Sequence, residues 1–176
     1  LDSLYATANS LGETLNTVLF LARADQGMVS PNRHRVRLQD MLDKLSELYR
    51  PAAEDAGIAL FIECPDDLHW SLDDRLFMQA LSNLVENAIR HGLEPKAEGG
   101  KISVMAQVRD GNLVLEVTDT GVGFAAAPPA DSGIGLSNIR ERLKLLYGAR
   151  ASLEIRGSEA GGACVRVTVP YQLVTT

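Results

Sequence analysis

The chain has 176 residues, 45% of them hydrophobic and 23% charged, which excludes a disordered or collagen-like polypeptide and leaves one domain, or one domain with an appendage. Its 17 basic against 23 acidic residues give a net charge of −6, a balance that disfavours nonspecific nucleic-acid binding. No apolar run approaches the roughly 18 residues of a membrane span, no secretory leader pattern is present, and Cys64 and Cys164, far apart and outside any CxxC pair, read as reduced thiols of a cytoplasmic protein.

Residues 1–25 show a seven-residue apolar pattern: Leu1, Ala8, Leu15 and Ala22 share one position, and Leu4, Leu11 and Val18 share another. Tyr5 and Leu19 widen the stripe, which suits a helical bundle better than a two-stranded seam. The pattern stops at Asp25-Gln26-Gly27 and Pro31-Asn32-Arg33 follows, so the reading is a separate helix over 1–26 and a linker over 27–34. The remaining span, 35–172, reads as one domain. Residues 35–38 form a short strand there, and 39–56 a helix that Pro51 kinks and Gly57 caps. Strands follow at 58–63 and 69–72, then a strongly amphipathic helix at 73–91. Residues 101–108 and 112–118 read as a hairpin across Asp110-Gly111. After a glycine-punctuated loop at 119–133 come a helix at 134–147, closed by Gly148, and a last hairpin, 151–156 with 163–169, across Gly161-Gly162. Without a regular βαβ alternation this is an α+β pattern, helices on one face of a mostly antiparallel sheet.

Chemistry concentrates in the second half, where 12 of the 15 glycines lie beyond residue 90. On the 73–91 helix Phe77, Leu81, Leu84, Val85, Ala88 and Ile89 share the core face, while Asn83, Glu86, Asn87 and Arg90 share the opposite one. A polar stripe is usually only a solvated face. Two asparagines four apart are nevertheless an odd choice for a helix centre, because lysine or glutamate form helix better. An amide oxygen can ligate Mg²⁺ as a neutral ligand and leave the charge to nucleotide phosphates. Asp119-Thr-Gly-Val-Gly-Phe124 ends a strand, where a carboxylate can accept a hydrogen bond from an exocyclic amine such as that of adenine; a capped turn is the plain alternative. Gly133-Ile-Gly-Leu-Ser-Asn138 opens a helix whose N-terminal N–H groups can cradle phosphate, or simply start the helix. Neither a P-loop nor a dinucleotide fingerprint is present.

Taken in order, Asn83-Leu-Val-Glu-Asn87-Ala-Ile-Arg-His91, Asp119-Thr-Gly-Val-Gly-Phe124, Gly133-Ile-Gly-Leu-Ser-Asn138 and Gly161-Gly-Ala-Cys-Val-Arg-Val-Thr-Val169 resemble the GHKL, or Bergerat-fold, ATP-binding superfamily. That superfamily includes sensor histidine kinases, type II topoisomerases, heat-shock chaperones and mismatch-repair ATPases. The resemblance covers about residues 35–170 and implies a two-layer sandwich, helices over a mixed sheet, with Mg-ATP between the asparagine helix and a lid. Carried over residue by residue, Asn87 ligates Mg²⁺ with Asn83 close by, and Arg90 and His91 lie near the phosphate tail. Asp119 binds the adenine amine, helped through water by Thr168. Gly121 and Gly123 shape the base pocket, and Gly133, Gly135 and Leu136 belong to the lid end that meets the phosphates.

Within the superfamily the ATP-hydrolysing branches carry a glutamate four residues before the metal-binding asparagine, to activate water. Here that position is Asn83, as in histidine kinases. The stretch Leu21-Ala-Arg-Ala-Asp-Gln-Gly27 resembles the end of the second helix of their dimerisation hairpin, which packs in a dimeric four-helix bundle. Stretches 84–95 and 133–148 resemble the autolysin-regulating type of sensor kinase, and the N-terminal helix the heavy-metal-sensing type. None of His34, His69 and His91 has the context of a phosphoacceptor box, and the lid lacks the usual phenylalanine-rich box. The resemblance therefore implies a catalytic domain that passes the γ-phosphoryl group to a histidine elsewhere in a parent protein, and through the parent to a response regulator. Glu86 is a candidate to polarise the acceptor. The parent is expected to be a membrane-anchored homodimer, and this chain a monomer or weak dimer without membrane contact. A nucleotide sensor without catalysis and an anti-sigma-type protein-serine kinase carry the same boxes; the helix at 1–25 argues against the latter.

Overall fold

The computed structural model describes residues 32–93, 99–123, 133–159 and 161–171, with the backbone alone for 90–92 and 133–135. The expected N-terminal helix and most of the linker lie outside the described residues. In chain order the elements are β1 (His34–Arg37), α1 (Leu38–Asp55), β2 (Ile58–Glu63), β3 (His69–Leu72), α2 (Asp74–Asn87), β4 (Gly100–Arg109), β5 (Asn112–Asp119), α3 (Gly133–Tyr147), β6 (Ser152–Gly157) and β7 (Ala163–Pro170).

Five strands form the main sheet in the order β2-β4-β5-β7-β6, where β2–β4 is parallel and the other pairs are antiparallel. Strand alternation sends Ile102, Val104 and Ala106 of β4, Leu113, Leu115 and Val117 of β5, and Val167 and Val169 of β7 to one face, where all are buried. Against them pack Leu38, Met41, Leu42 and Leu45 of α1, Leu81, Leu84 and Val85 of α2, and Leu136 and Ile139 of α3, one continuous core. Spacings of three and four residues give each helix this single apolar stripe. The result is the two-layer sandwich of an α+β fold. On the sheet's other face Glu116 is bridged by Arg166 and Arg156.

The main departure in the sheet is that β1 and β3 do not join it. They pair with each other, His34 opposite Leu72, as a separate two-stranded ribbon. Arg37 ends β1 after four residues by turning directly into α1, where Leu38 N–H donates to Leu68 O at 2.8 Å and Arg37 Nε to Asp66 O at 3.0 Å. The ribbon thus caps one end of the helical layer. Helix α1 runs through Pro51 and ends before Gly57. Asp110 and Gly111, at φ 51° and 72°, make the tight turn between β4 and β5.

Helix α2 starts at a side-chain cap: Asp73 Oδ1 accepts from Leu76 N at 3.1 Å. Its regular part stops at Asn87, four residues earlier than expected, and a π-helical turn, Ala88–Leu93, follows. In a π turn residues five apart stack, which lets Ala88 and Leu93, 7% and 2% exposed, both face the core. At the far end Trp70 packs edge-on to Phe77 and stacks on Tyr147, and the Arg33 guanidinium lies 5.2 Å over the Tyr147 ring. Both cysteines are free thiols. Burial pushes the Cys64 thiol up to about 11, which leaves it protonated and unreactive at neutral pH.

Candidate functional site

Strand β5 delivers Asp119 to its C-terminal end on the same face as Leu115 and Val117. The carboxylate is 4% exposed, and its Oδ1 accepts from Gly121 N at 2.8 Å and Ala163 N at 3.2 Å. Two backbone donors on one oxygen fix the plane of the group. The neighbouring turn admits this arrangement only because residue 162 is glycine, since a Cβ there would lie 2.1 Å from Asp119 O and 2.4 Å from Oδ1. Gly123, at φ 64°, passes close over the Gly161 carbonyl, where a Cβ would meet the oxygen at 2.9 Å. The loop 119–123 and the turn 161–162 are therefore two backbones packed on one carboxylate. Thr120 anchors the loop: its Oγ1 accepts from Lys101 N at 3.0 Å and its N–H donates to Lys101 O at 3.1 Å.

The end of β5 packs against the π turn that continues α2. The regular helix ends at Asn87, and Arg90 and His91 lie in the π turn itself. Asn83, Glu86 and Asn87 are half-buried rather than solvated, unlike an ordinary polar helix face. Glu86, the candidate to polarise an acceptor, accepts a hydrogen bond from Tyr49 Oη of α1 at 2.6 Å and is thereby fixed from a neighbouring helix. Gly133 and Gly135 fall within the first turn of α3 rather than ahead of it, and Leu136 is buried. Arg142, buried one face further along α3, donates to Gln79 Oε1 at 2.7 Å and ties α3 to α2.

Thr168 is not at this site. Register pairs it with Val114 and Ser152, five residues along β5 from Asp119, roughly 16 Å at strand rise. It also alternates with the core residues Val167 and Val169, so it faces the opposite side of the sheet from Asp119. One water cannot bridge that separation, and the residue whose backbone does reach Asp119 is Ala163. Sequence reasoning also passed over Gly162 and Tyr49. The Gly161-Gly162 pair was a visible signal for the first; nothing local signals the second.

Among the described residues no group of three or more His, Cys, Asp or Glu is placed to hold a metal ion. The helix stripe instead offers the neutral amide oxygens of Asn83 and Asn87. Magnesium is commonly held by one or two protein groups together with substrate phosphates. The donor set thus fits a cation that arrives with a nucleotide. An apolar cavity of about 80 Å³ lies between α2, α3 and the sheet, lined by residues such as Phe77, Leu84, Leu115 and Leu143. A more polar one of about 240 Å³ lies between β1, α1 and the start of α2. Neither includes Asn83, Asn87 or Asp119, and both are gaps between packed elements, away from the carboxylate.

The family model described as histidine kinase-, DNA gyrase B-, and HSP90-like ATPase matches residues 72–173. The autoinducer 2 sensor kinase/phosphatase LuxQ of Vibrio harveyi is 26% identical over 198 aligned positions, which take in 98% of this chain and 22% of that protein. The chain therefore spans about a fifth of the length of that relative. Among solved structures, the Acinetobacter baumannii histidine kinase AdeS superposes with a TM-score of 0.77 at 16% identity, covering 98% of this chain and 84% of that one. Full-length ShkA in complex with AMPPNP superposes with a TM-score of 0.69 at 24% identity, covering 99% and 40%. At these identities the two structures show a shared fold.

Proposed function

The chain belongs to the histidine kinase-, DNA gyrase B- and HSP90-like ATPase family and is an ATP-binding catalytic domain of the histidine kinase kind; from that premise we propose that it holds Mg-ATP and passes the γ-phosphoryl group to a histidine other than its own His34, His69 and His91. Asp119 takes the adenine amine, and Gly121 and Gly123 let the backbone lie against the base. Asn87, with Asn83 one turn before it, holds the magnesium ion, while Arg90 and His91 attend the phosphates. The first turn of α3, with Gly133, Gly135 and Leu136, closes from the other side and offers backbone N–H groups to phosphate oxygens. When bound, magnesium offsets the phosphate charge. Catalysis by this chain is then positioning, with the γ-phosphoryl group aligned on an acceptor nitrogen. Asn83 stands where a water-activating glutamate would be, which favours transfer over hydrolysis.

The observation that carries this reading is the buried Asp119 carboxylate, fixed by two backbone N–H groups at the end of a strand that packs on the turn following the asparagine helix. The parent protein is proposed to be a membrane-anchored homodimeric sensor that relays the phosphoryl group to a response regulator. Among the described residues no helix is long and apolar enough to cross a membrane. The reading is tested by mixing the chain with a separately expressed acceptor hairpin and labelled ATP. Acid-labile label on the hairpin is the expected result. Acid-stable label means transfer to serine and no label means a sensor without transfer, and either result contradicts the proposal.

A further inference from the structure

We infer that Glu86, held in place by Tyr49, is a charge filter that makes the site prefer magnesium-complexed over metal-free nucleotide. The inference rests on the nucleotide reading above and adds a specificity-determining residue to it. Glu86 is half-buried one helical turn after Asn83, where side chains three apart are neighbours on the helix surface, and directly precedes the proposed metal ligand Asn87. Partial burial of a carboxylate is unfavourable unless a donor compensates, and the Tyr49 hydroxyl at 2.6 Å is such a donor. Tyr49 lies on α1, so the bond also fixes which edge of the stripe the carboxylate occupies. A solvated surface glutamate needs no such arrangement.

The consequence follows from charge. Asn83 and Asn87 are neutral, so they favour neither form of the nucleotide by charge. Glu86 adds a fixed negative charge beside the phosphate position. Metal-free ATP carries a divalent cation's worth more negative charge than its magnesium complex, and it is repelled more strongly by that carboxylate. Tyr49 is a positioning residue: it touches no nucleotide and acts only by keeping the carboxylate on that face.

The test is a calorimetric titration of the full chain with a non-hydrolysable ATP analogue, in EDTA and in excess Mg²⁺. Wild type, Glu86→Gln, Tyr49→Phe and the double variant are compared. Glu86→Gln is expected to tighten metal-free binding roughly fivefold while changing the affinity for the magnesium complex by about twofold or less. Tyr49→Phe shifts the preference in the same direction by a smaller factor. The double variant matches Glu86→Gln, because the hydroxyl works through the carboxylate. A Glu86→Gln protein with the wild-type preference overturns the inference, whether or not its affinity falls equally in both media. A double variant that departs from Glu86→Gln removes the positioning role of Tyr49. Wild-type protein that binds the analogue in neither medium overturns the underlying nucleotide reading, a failure visible before any variant is compared.

Discussion

A side chain at residue 162 would occupy the space of Asp119, with contacts of 2.1 and 2.4 Å to its oxygens. Gly162→Ala must therefore push the start of β7 away and separate Ala163 N–H from the carboxylate it fixes. We expect it to weaken binding of an ATP analogue about tenfold, the scale of one lost buried hydrogen bond to a charged group. Asp119→Asn tests the same carboxylate without a steric change. Because the two backbone donors claim Oδ1, an asparagine turns its NH₂ toward the base and opposes the adenine amine. Binding should be lost while the melting temperature stays within a few degrees; retained affinity would contradict the adenine assignment. The strand end at Asp119 and the turn through Gly121 and Gly123 were legible in the sequence, because a strand-ending carboxylate followed by glycines is local chemistry. Thr168 was misassigned because its place depends on the β5–β7 register, which no local pattern encodes. Tyr49 was invisible because it reaches Glu86 across 37 residues of chain.

At the scale of elements, α2 joins the core to the site: one face buries Leu81, Leu84 and Val85, and the other presents the asparagines. Leu84, 2% exposed, is expected to cost about 2–5 kcal/mol on truncation to alanine in a urea melt. Asp73→Ala removes the helix cap and should cost about 1 kcal/mol. Leu48 on α1, 61% exposed, should change stability by about 0.5 kcal/mol or less when truncated. Equal losses at Leu84 and Leu48 would contradict the packing described. Apolar periodicity made α2 and its faces readable from the sequence, and Asp110-Gly111 made the first hairpin readable. The π turn was not readable, because it is set by the need to bury Leu93 against the sheet. Nor was the separate β1–β3 ribbon, since two four-residue strands carry no signal for which sheet they join.

For the molecule as a whole, the α+β class and the single helical layer were legible because the strands and helices came in mixed runs without regular alternation. The helix and linker expected over 1–34 lie almost wholly outside the described residues. In the described fold the strand that carries the Asp119 carboxylate packs on the turn after α2, the helix that carries the asparagine stripe. The most direct measurement of the central claim is a calorimetric titration of the wild-type chain with a non-hydrolysable ATP analogue, with and without Mg²⁺. Binding that strengthens at least severalfold with Mg²⁺ is the expected result, since the neutral amides of Asn83 and Asn87 need the cation to engage the phosphates. Absence of binding, or affinity indifferent to Mg²⁺, would contradict the account.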